Sequence, residues 1–420
     1  MKKTFLALAA ALLPAIALQA TTRYAGGDIS LLPEYENAKS QYKTHDGKPI
    51  NDVLTFFHDE GMNAMRVRLF VNPALYDGPE KDANACQDLE YIIPLCRDIV
   101  DHGFKLMLDF HYSDTWADPA KQWTPEEWKD LDDNALYVKI NEYTKEVLTR
   151  LKEEGITPAF IQTGNEISYG MLWGPWDAPE KDLHKVFSNS EKNWPRFITL
   201  LENAIAACRE VCPEAEIIIH SERIPNTSVL TNFFDHLKDL DYDIIGLSYY
   251  PYFHGPMNVL NNALNIVSKR YTDKEIMIVE AGYPYKWEVP GTTHDLSGTY
   301  PYTDAGQDKF ARELVETAEK YEAVTGIFWW WMEYNAYGTS LSGWYNAPLF
   351  DSTTGRATSA LHTLASFATP DPGAVDGIFD DSLSVPFDPT TPAFDLLGRS
   401  VTNPSAPGLY IQNGRKHLIR

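Results

Sequence analysis

Eight short apolar runs recur along this chain, separated by longer polar or amphipathic stretches, and that rhythm restricts the fold more than any other feature. The runs are "YAGGDIS" (24–30), "NAMRVRLF" (63–70), "FKLMLDFH" (104–111), "PAFIQTGNE" (158–166), "AEIIIHSE" (215–222), "DIIGLSYY" (243–250), "EIMIVEAG" (275–282) and "TGIFWWWM" (325–332). Each has the length and composition of a strand buried on both faces. Between them lie stretches such as "INDVLTFFHDEG" (50–61), "VKINEYTKEVLTRLKEEG" (138–155), "WPRFITLLENAIAACREVCPE" (194–214) and "QDKFARELVETAEKYEAV" (307–324). Their apolar residues fall three and four apart, and two of them stop at Gly61 and Gly155, as helices do. Strand then helix, eight times over, predicts an α/β protein: a (β/α)8 TIM barrel over residues 21–368. A doubly wound open sheet is the alternative, weakened because no glycine-rich phosphate loop follows the first strand.

That barrel is longer than the roughly 250 residues usual for the fold. The surplus lies after strands, at 71–87, 112–128, 168–182 and 283–306, in long βα loops rich in Trp, Tyr, Asp and Pro. Those loops build the face where barrel enzymes keep their active sites. Past Phe367 the composition turns to Pro, Asp and Gly, which predicts a linker over 369–394. A small C-terminal hairpin over 395–420, turning at Asn413 and Gly414, is expected beyond it. Residues 1–20 carry Lys2 and Lys3, an apolar centre and the small residues Ala15, Ala17 and Ala20, the pattern of a signal peptide. No cysteine follows for lipid attachment, so the expected destination is secretion, the periplasm or the cell surface. The net charge of −23 argues against nucleic-acid and anionic-membrane partners. No later stretch has the length of a membrane span, and a monomer is expected. Cys86, Cys96, Cys208 and Cys212 are expected as free thiols; a bridge between Cys208 and Cys212, one helical turn apart, would strain the helix.

The strand ends carry the chemistry. The fourth run ends on Asn165 and Glu166, and the seventh carries Glu280. Arg68, Asp109, His111 and His220 stand at other strand ends, and Trp329, Trp330 and Trp331 close the eighth. Two carboxylates across a barrel mouth are what glycoside hydrolysis requires, one to protonate the leaving oxygen and one to attack the anomeric carbon. Asn165 is placed to meet a sugar 2-hydroxyl, and rim tryptophans to stack on sugar faces. Blander readings compete: a strand-end Glu paired with an arginine such as Arg68, and His111 and His220 as core histidines. A metal site of Asp109, His111 and His220 is a third reading. Neighbouring strand residues alternate faces, so at least one of the three tryptophans should be packing alone.

Several stretches in order along the barrel resemble one family. "LDFHYSDTWADPAKQ" (108–122) is similar to the strand 3 signature of endo-β-1,4-galactanases, glycoside hydrolase family 53. "GGDIS" (26–30), "MRVRLFVNP" (65–73), "IQTGNEI" (161–167), "DIIGLSYYPYFHG" (243–255), "IVEAGYPY" (278–285) and "GIFWWW" (326–331) continue the resemblance. It implies an acid/base at Glu166, a nucleophile at Glu280, and sugar contacts from Arg68, His111, Trp116, Asn165 and a strand 6 tyrosine. That last role is placed on Tyr249, with Tyr250 the competitor. His220 and Trp330 join them as candidate substrate-binding residues. Trp330 matches the family's tryptophan, and Trp331 stands where a glutamate is usual. The resemblance implies no required cofactor; calcium is an option in the loop after strand 7, near His294, Asp295 and Asp304. It further implies a polysaccharide partner, β-1,4-galactan of pectin side chains, cut internally with retention. A mannanase or xylanase of the same clan, and a non-catalytic glycan-binding barrel, are the alternatives. The tail "PGLYIQNGRKHLIR" resembles bacterial C-terminal sorting segments as closely as it resembles a plain hairpin.

Overall fold

The computed structural model describes residues 21–79, 81–178, 183–339 and 347–368, and the backbone of 393–394, 400–401, 408–412 and 415–419. Eight parallel strands close in chain order: β1 Tyr24–Asp28, β2 Ala64–Leu69, β3 Lys105–Phe110, β4 Phe160–Thr163, β5 Glu216–Ser221, β6 Ile244–Tyr249, β7 Glu275–Ala281 and β8 Val324–Trp329. β8 pairs back onto β1, so the sheet has no edge. The expected TIM barrel is the observed one, and its strands coincide with the eight apolar runs to within a few residues at each end.

Helices fill the connections. After β1 come α1 Leu32–Asn37 and α2 Val53–Asp59; after β2 to β5 come α3 Leu89–Asp101, α4 Asp133–Glu153, α5 Trp194–Val211 and α6 Thr227–His236. α7 Pro251–His254 and α8 Met257–Arg270 follow β6, α9 Asp304–Ala318 follows β7, and α10 Ser359–Ala365 follows β8. Asp52, Asp88, Asp132, Asn226 and Thr303 start five of them by accepting a hydrogen bond from a first-turn N–H.

The barrel interior is layered. Ala64, Met107, Phe160, Ile218, Ile244, Met277, Val279 and Phe328 form an apolar plug. Two residues further along the same faces, the lining turns to Arg66, Asp109, Gln162, His220 and Trp330, all buried. β1 presses so closely on β2 that a Cβ at Gly26 would lie 1.6 Å from the Ala64 carbonyl oxygen. The polar layer is therefore held in a rigid, closely packed tube, and it forms the floor of the site. All four cysteines are free.

Residues 370–420 form a separate unit. Its described strands, β9 Ala393–Phe394, β10 Ser400–Val401, β11 Gly408–Gln412 and β12 Arg415–Ile419, make one sheet in the order β10-β9-β11-β12. β11 and β12 run antiparallel, with Gln412 opposite Arg415. The expected signal segment 1–20 lies outside the described residues, as does the expected linker except for Ala393 and Phe394, which are strand. No helix among the described residues is long and apolar enough to cross a membrane.

Candidate active site

The strand that opens the site is cut short. β4 has four residues, and the chain then turns through Gly164 at φ +110° and Glu166 at φ +47°. Gly164 has to be glycine: its φ disfavours a side chain, and a Cβ there would stand 2.7 Å from Ile167 Cγ2. The turn sends both Asn165 and Glu166 into one cleft, which two consecutive residues of a regular strand cannot do. Glu166 itself occupies a backbone region that costs a non-glycine residue free energy, a form of strain common at functional sites. The cleft encloses about 630 Å³ at the C-terminal ends of the strands, with Glu166 and Glu280 in its walls.

Glu280 lies on β7, beside a register shift that puts it opposite Ser248 of β6. Its Oε1 is 2.9 Å from Arg66 Nη2, and its Oε2 accepts a 2.8 Å hydrogen bond from the Tyr250 hydroxyl. Arg66 is fully buried. It also reaches Asp28 (3.1 Å), Asp109 (2.7 Å) and the side-chain Oδ1 of Asn165 (2.9 Å). The Glu280 carboxyl is pushed up to about 7: burial raises it, against the pull of Arg66 and the Tyr250 hydroxyl, with Asp109 and Asp28 adding to the rise. Asp109 is buried too, yet Arg66 and His111 hold its carboxyl below the usual range.

Glu166 has no such cation. Its Oε1 accepts from the Ser248 hydroxyl at 2.6 Å. Burial, then the charges of Glu280 and Glu222, push its carboxyl well above the ordinary range. Ser248 is held in turn by His220 Nε2 at 2.8 Å, and His220 Nδ1 accepts from the Glu166 backbone N–H at 3.2 Å. Burial, with Arg66 nearby, keeps His220 neutral. With Ser248 donating to Glu166, the imidazole proton sits on Nε2. The ring thus ties the backbone of Glu166 to its own carboxylate. Burial raises both carboxyls, but Glu280 has a guanidinium and a phenol hydroxyl beside it while Glu166 faces other carboxylates, a difference that can separate a nucleophile from an acid.

One wall of the cleft is aromatic. Trp116, Trp330 and Trp331 line it, and the Arg68 guanidinium lies beneath all three, 4.7, 5.1 and 5.4 Å from their ring centroids. Trp116 Nε1 also donates to Asp82 Oδ2 at 2.9 Å. Trp331 reaches the cleft because its φ of +52° breaks the alternation of β8. Trp329 is the packing residue: it faces Phe310 of α9, and its Nε1 donates to the Ala347 carbonyl.

Of the residues expected from sequence, Glu166, Glu280, Asn165, Trp116 and Trp330 line the cleft. Four do not. Tyr249 points outward against Phe310, its hydroxyl bonded to the Gly255 carbonyl at 3.1 Å; Tyr250 takes the inward place. Arg68 is buried on Asp28 beneath the tryptophans, and the arginine that meets the nucleophile position is Arg66. His111, with Nδ1 accepting from Ala117 N–H and Nε2 3.1 Å from Asp109, supports the floor. His220 acts through Ser248 and Glu166. Among the described residues no group of three or more His, Cys, Asp and Glu side chains is placed to hold a metal ion. In the loop after β7, Asp295 caps Ser297 N–H and Asp304 binds Ser359, so with His294 they form no calcium cage. Sequence reasoning passed over Arg66, Ser248 and Glu222, and ranked Tyr250 second to Tyr249.

The model of glycosyl hydrolase family 53 matches residues 24–364. A Niallia circulans protein named "Uncharacterized protein in bgaB 5′region" is 34% identical over 73% of this chain and 82% of its own length. The endo-beta-1,4-galactanase of Bacillus subtilis (strain 168) is 30% identical over 73% of this chain and 68% of its own. Among solved structures, the GH53 catalytic domain of Ignisphaera aggregans superposes with a TM-score of 0.70 at 28% identity, over 85% of this chain and 99% of that one.

Proposed function

The chain belongs to glycosyl hydrolase family 53, and on that premise we propose that it is an endo-acting β-1,4-galactanase that works with retention through Glu166 and Glu280. The observation that carries this reading is the electrostatic asymmetry of the two carboxyls. Glu280 has Arg66 and the Tyr250 hydroxyl beside it, the neighbours that favour its anion. Glu166, lacking a cation and facing other carboxylates, is the one kept protonated. Glu280 attacks the anomeric carbon while Glu166 gives its proton to the departing glycosidic oxygen, leaving a glycosyl ester on Glu280. Glu166, now an anion, takes a proton from water; the water oxygen displaces Glu280 and restores both groups.

The Bacillus relative, an endo-beta-1,4-galactanase, supports β-1,4-galactan as the substrate. Trp116, Trp330 and Trp331 offer faces on which pyranose rings stack. The segment 1–20 supports export, which would bring a monomeric enzyme to galactan side chains of pectin in the medium, periplasm or cell surface. No cofactor enters the reaction as written.

The test is release of reducing ends from potato galactan, with mannan and xylan alongside, chromatography of the products, and NMR of the first-formed anomer. Mixed galacto-oligosaccharides that appear first as the β-anomer are expected. Preferential release from mannan or xylan, or an α-anomer, would overturn the reading.

A further inference from the structure

One carboxylate in the cleft neither gives a proton nor attacks in that mechanism. Glu222 stands one residue past β5, on the inward face that carries Ile218 and His220, and it lines the same cleft. It is 8% exposed. Ser168 fixes its Oε1 through a 2.7 Å hydrogen bond, and Arg223 Nη1 stays 3.7 Å away, too far for one. Its Oε2 is buried and has no hydrogen-bond partner among the described residues.

An oxygen in that state costs free energy unless a bound molecule satisfies it. Its place in the barrel says which molecule. β5 adjoins β4, which carries the acid, and Ser168 lies two residues beyond Glu166; Glu280 is two strands away on β7. The acid stands beside the leaving oxygen by the nature of its task. A group next to Glu166 and away from Glu280 therefore faces the leaving half of the chain. Its ligand must bring a donor, and a sugar hydroxyl is one.

We propose that Glu222 is a substrate-binding residue for the leaving-group side of the cleft, its Oε2 accepting a hydrogen bond from a hydroxyl of the first galactosyl unit beyond the cleaved bond. This rests on the galactanase reading above. Ser168 positions the carboxylate, and the sugar replaces the missing partner.

The experiment compares Glu222→Ala and Glu222→Gln with wild type on galactan and on 2,4-dinitrophenyl β-1,4-galactobioside, which has no sugar beyond the cleaved bond. The expected result on galactan is a fall in kcat/KM of about tenfold or more for Ala and several-fold for Gln, the scale of a lost hydrogen bond to a charged group. On the aryl galactobioside the change should stay within about twofold, which also shows that the variants are folded. An equal loss on both substrates would assign Glu222 to the reaction or to folding, and overturn the proposal; so would an unchanged rate on galactan, or a loss there accompanied by a shift of the basic limb of the pH profile, the mark of a retuned Glu166. A wild-type protein that cleaves the aryl galactobioside but not galactan would overturn the substrate reading itself.

Discussion

The Tyr250 hydroxyl donates a 2.8 Å hydrogen bond to Oε2 of Glu280, the carboxylate that Arg66 holds through its other oxygen. The bond stabilises the anion against burial, which by itself drives the carboxyl upward. Tyr250→Phe should therefore lower kcat/KM on galactan by about 10- to 100-fold, the range for a hydrogen bond to a charged group. Its loss favours the protonated form, so the acid limb of the pH profile should move to higher pH. A limb that stays in place would mean that the hydroxyl does not govern the charge of Glu280.

Glu166→Ala should slow hydrolysis of galactan far more than that of an aryl galactobioside, because protonation matters most for a poor leaving group. Azide should restore turnover on the aryl substrate, since a small anion can enter without a base. Equal losses on both substrates, unrelieved by azide, would make Glu166 a structural residue.

Trp116→Ala should weaken turnover on long chains several-fold to about tenfold, the worth of one aromatic stack. Trp116 packs on Phe70, His111 and the Arg68 guanidinium rather than on Trp123 or Trp128. Melting temperature read beside kinetics on polymer and on short oligosaccharides separates stacking from packing. A variant of unchanged Tm that loses activity only on polymer identifies stacking; a loss of Tm with activity lost on every substrate identifies packing.

Glu166→Gln should be more stable than wild type at pH 8 and no more stable at pH 4. A carboxyl raised by burial binds its proton more tightly in the folded chain than in the unfolded one. Its contribution is favourable below the ordinary carboxylate range and is lost as pH rises above it. The amide accepts the Ser248 hydrogen bond without that loss. Each kcal/mol relieved should raise Tm by about 2–4 °C. Thermal melts at the two pH values check the sign, and an equal gain at both would point to packing instead.

Much of this was legible before any coordinates. A parallel strand covered on both faces must be an apolar run, so all eight could be counted. Glu166 and Glu280 showed because each places a carboxylate at the end of such a run. Arg66 did not, because it sits mid-strand in "AMRVRL" and only closure of the barrel brings it to Asp28, Asp109 and Glu280. A signal was present: Ala64, Arg66 and Arg68 share one parity of β2, and a charged pair on one face of a buried strand needs buried partners. The same parity separates Ser248 and Tyr250 from Leu247 and Tyr249, and would have chosen Tyr250. Glu222 lies past a strand end as Glu166 does, yet nothing in "HSER" shows that one of its oxygens is left without a partner.

The charge of the cleft lining has a consequence for which polymers can enter. Asp82, Asp118, Glu222 and Glu280 face it against a single lysine among the described lining residues, Lys121, so the mouth carries a negative potential on a chain of net charge −23. A neutral glycan enters without penalty, whereas a uronate-bearing chain meets repulsion that low-dielectric walls focus. Selection against carboxylated polymers would then need no shape-reading contact, because the field excludes them first. Such exclusion fades with ionic strength. Polygalacturonate should therefore inhibit galactan cleavage more at high salt than at low, the reverse of what a binding patch of opposite charge would give.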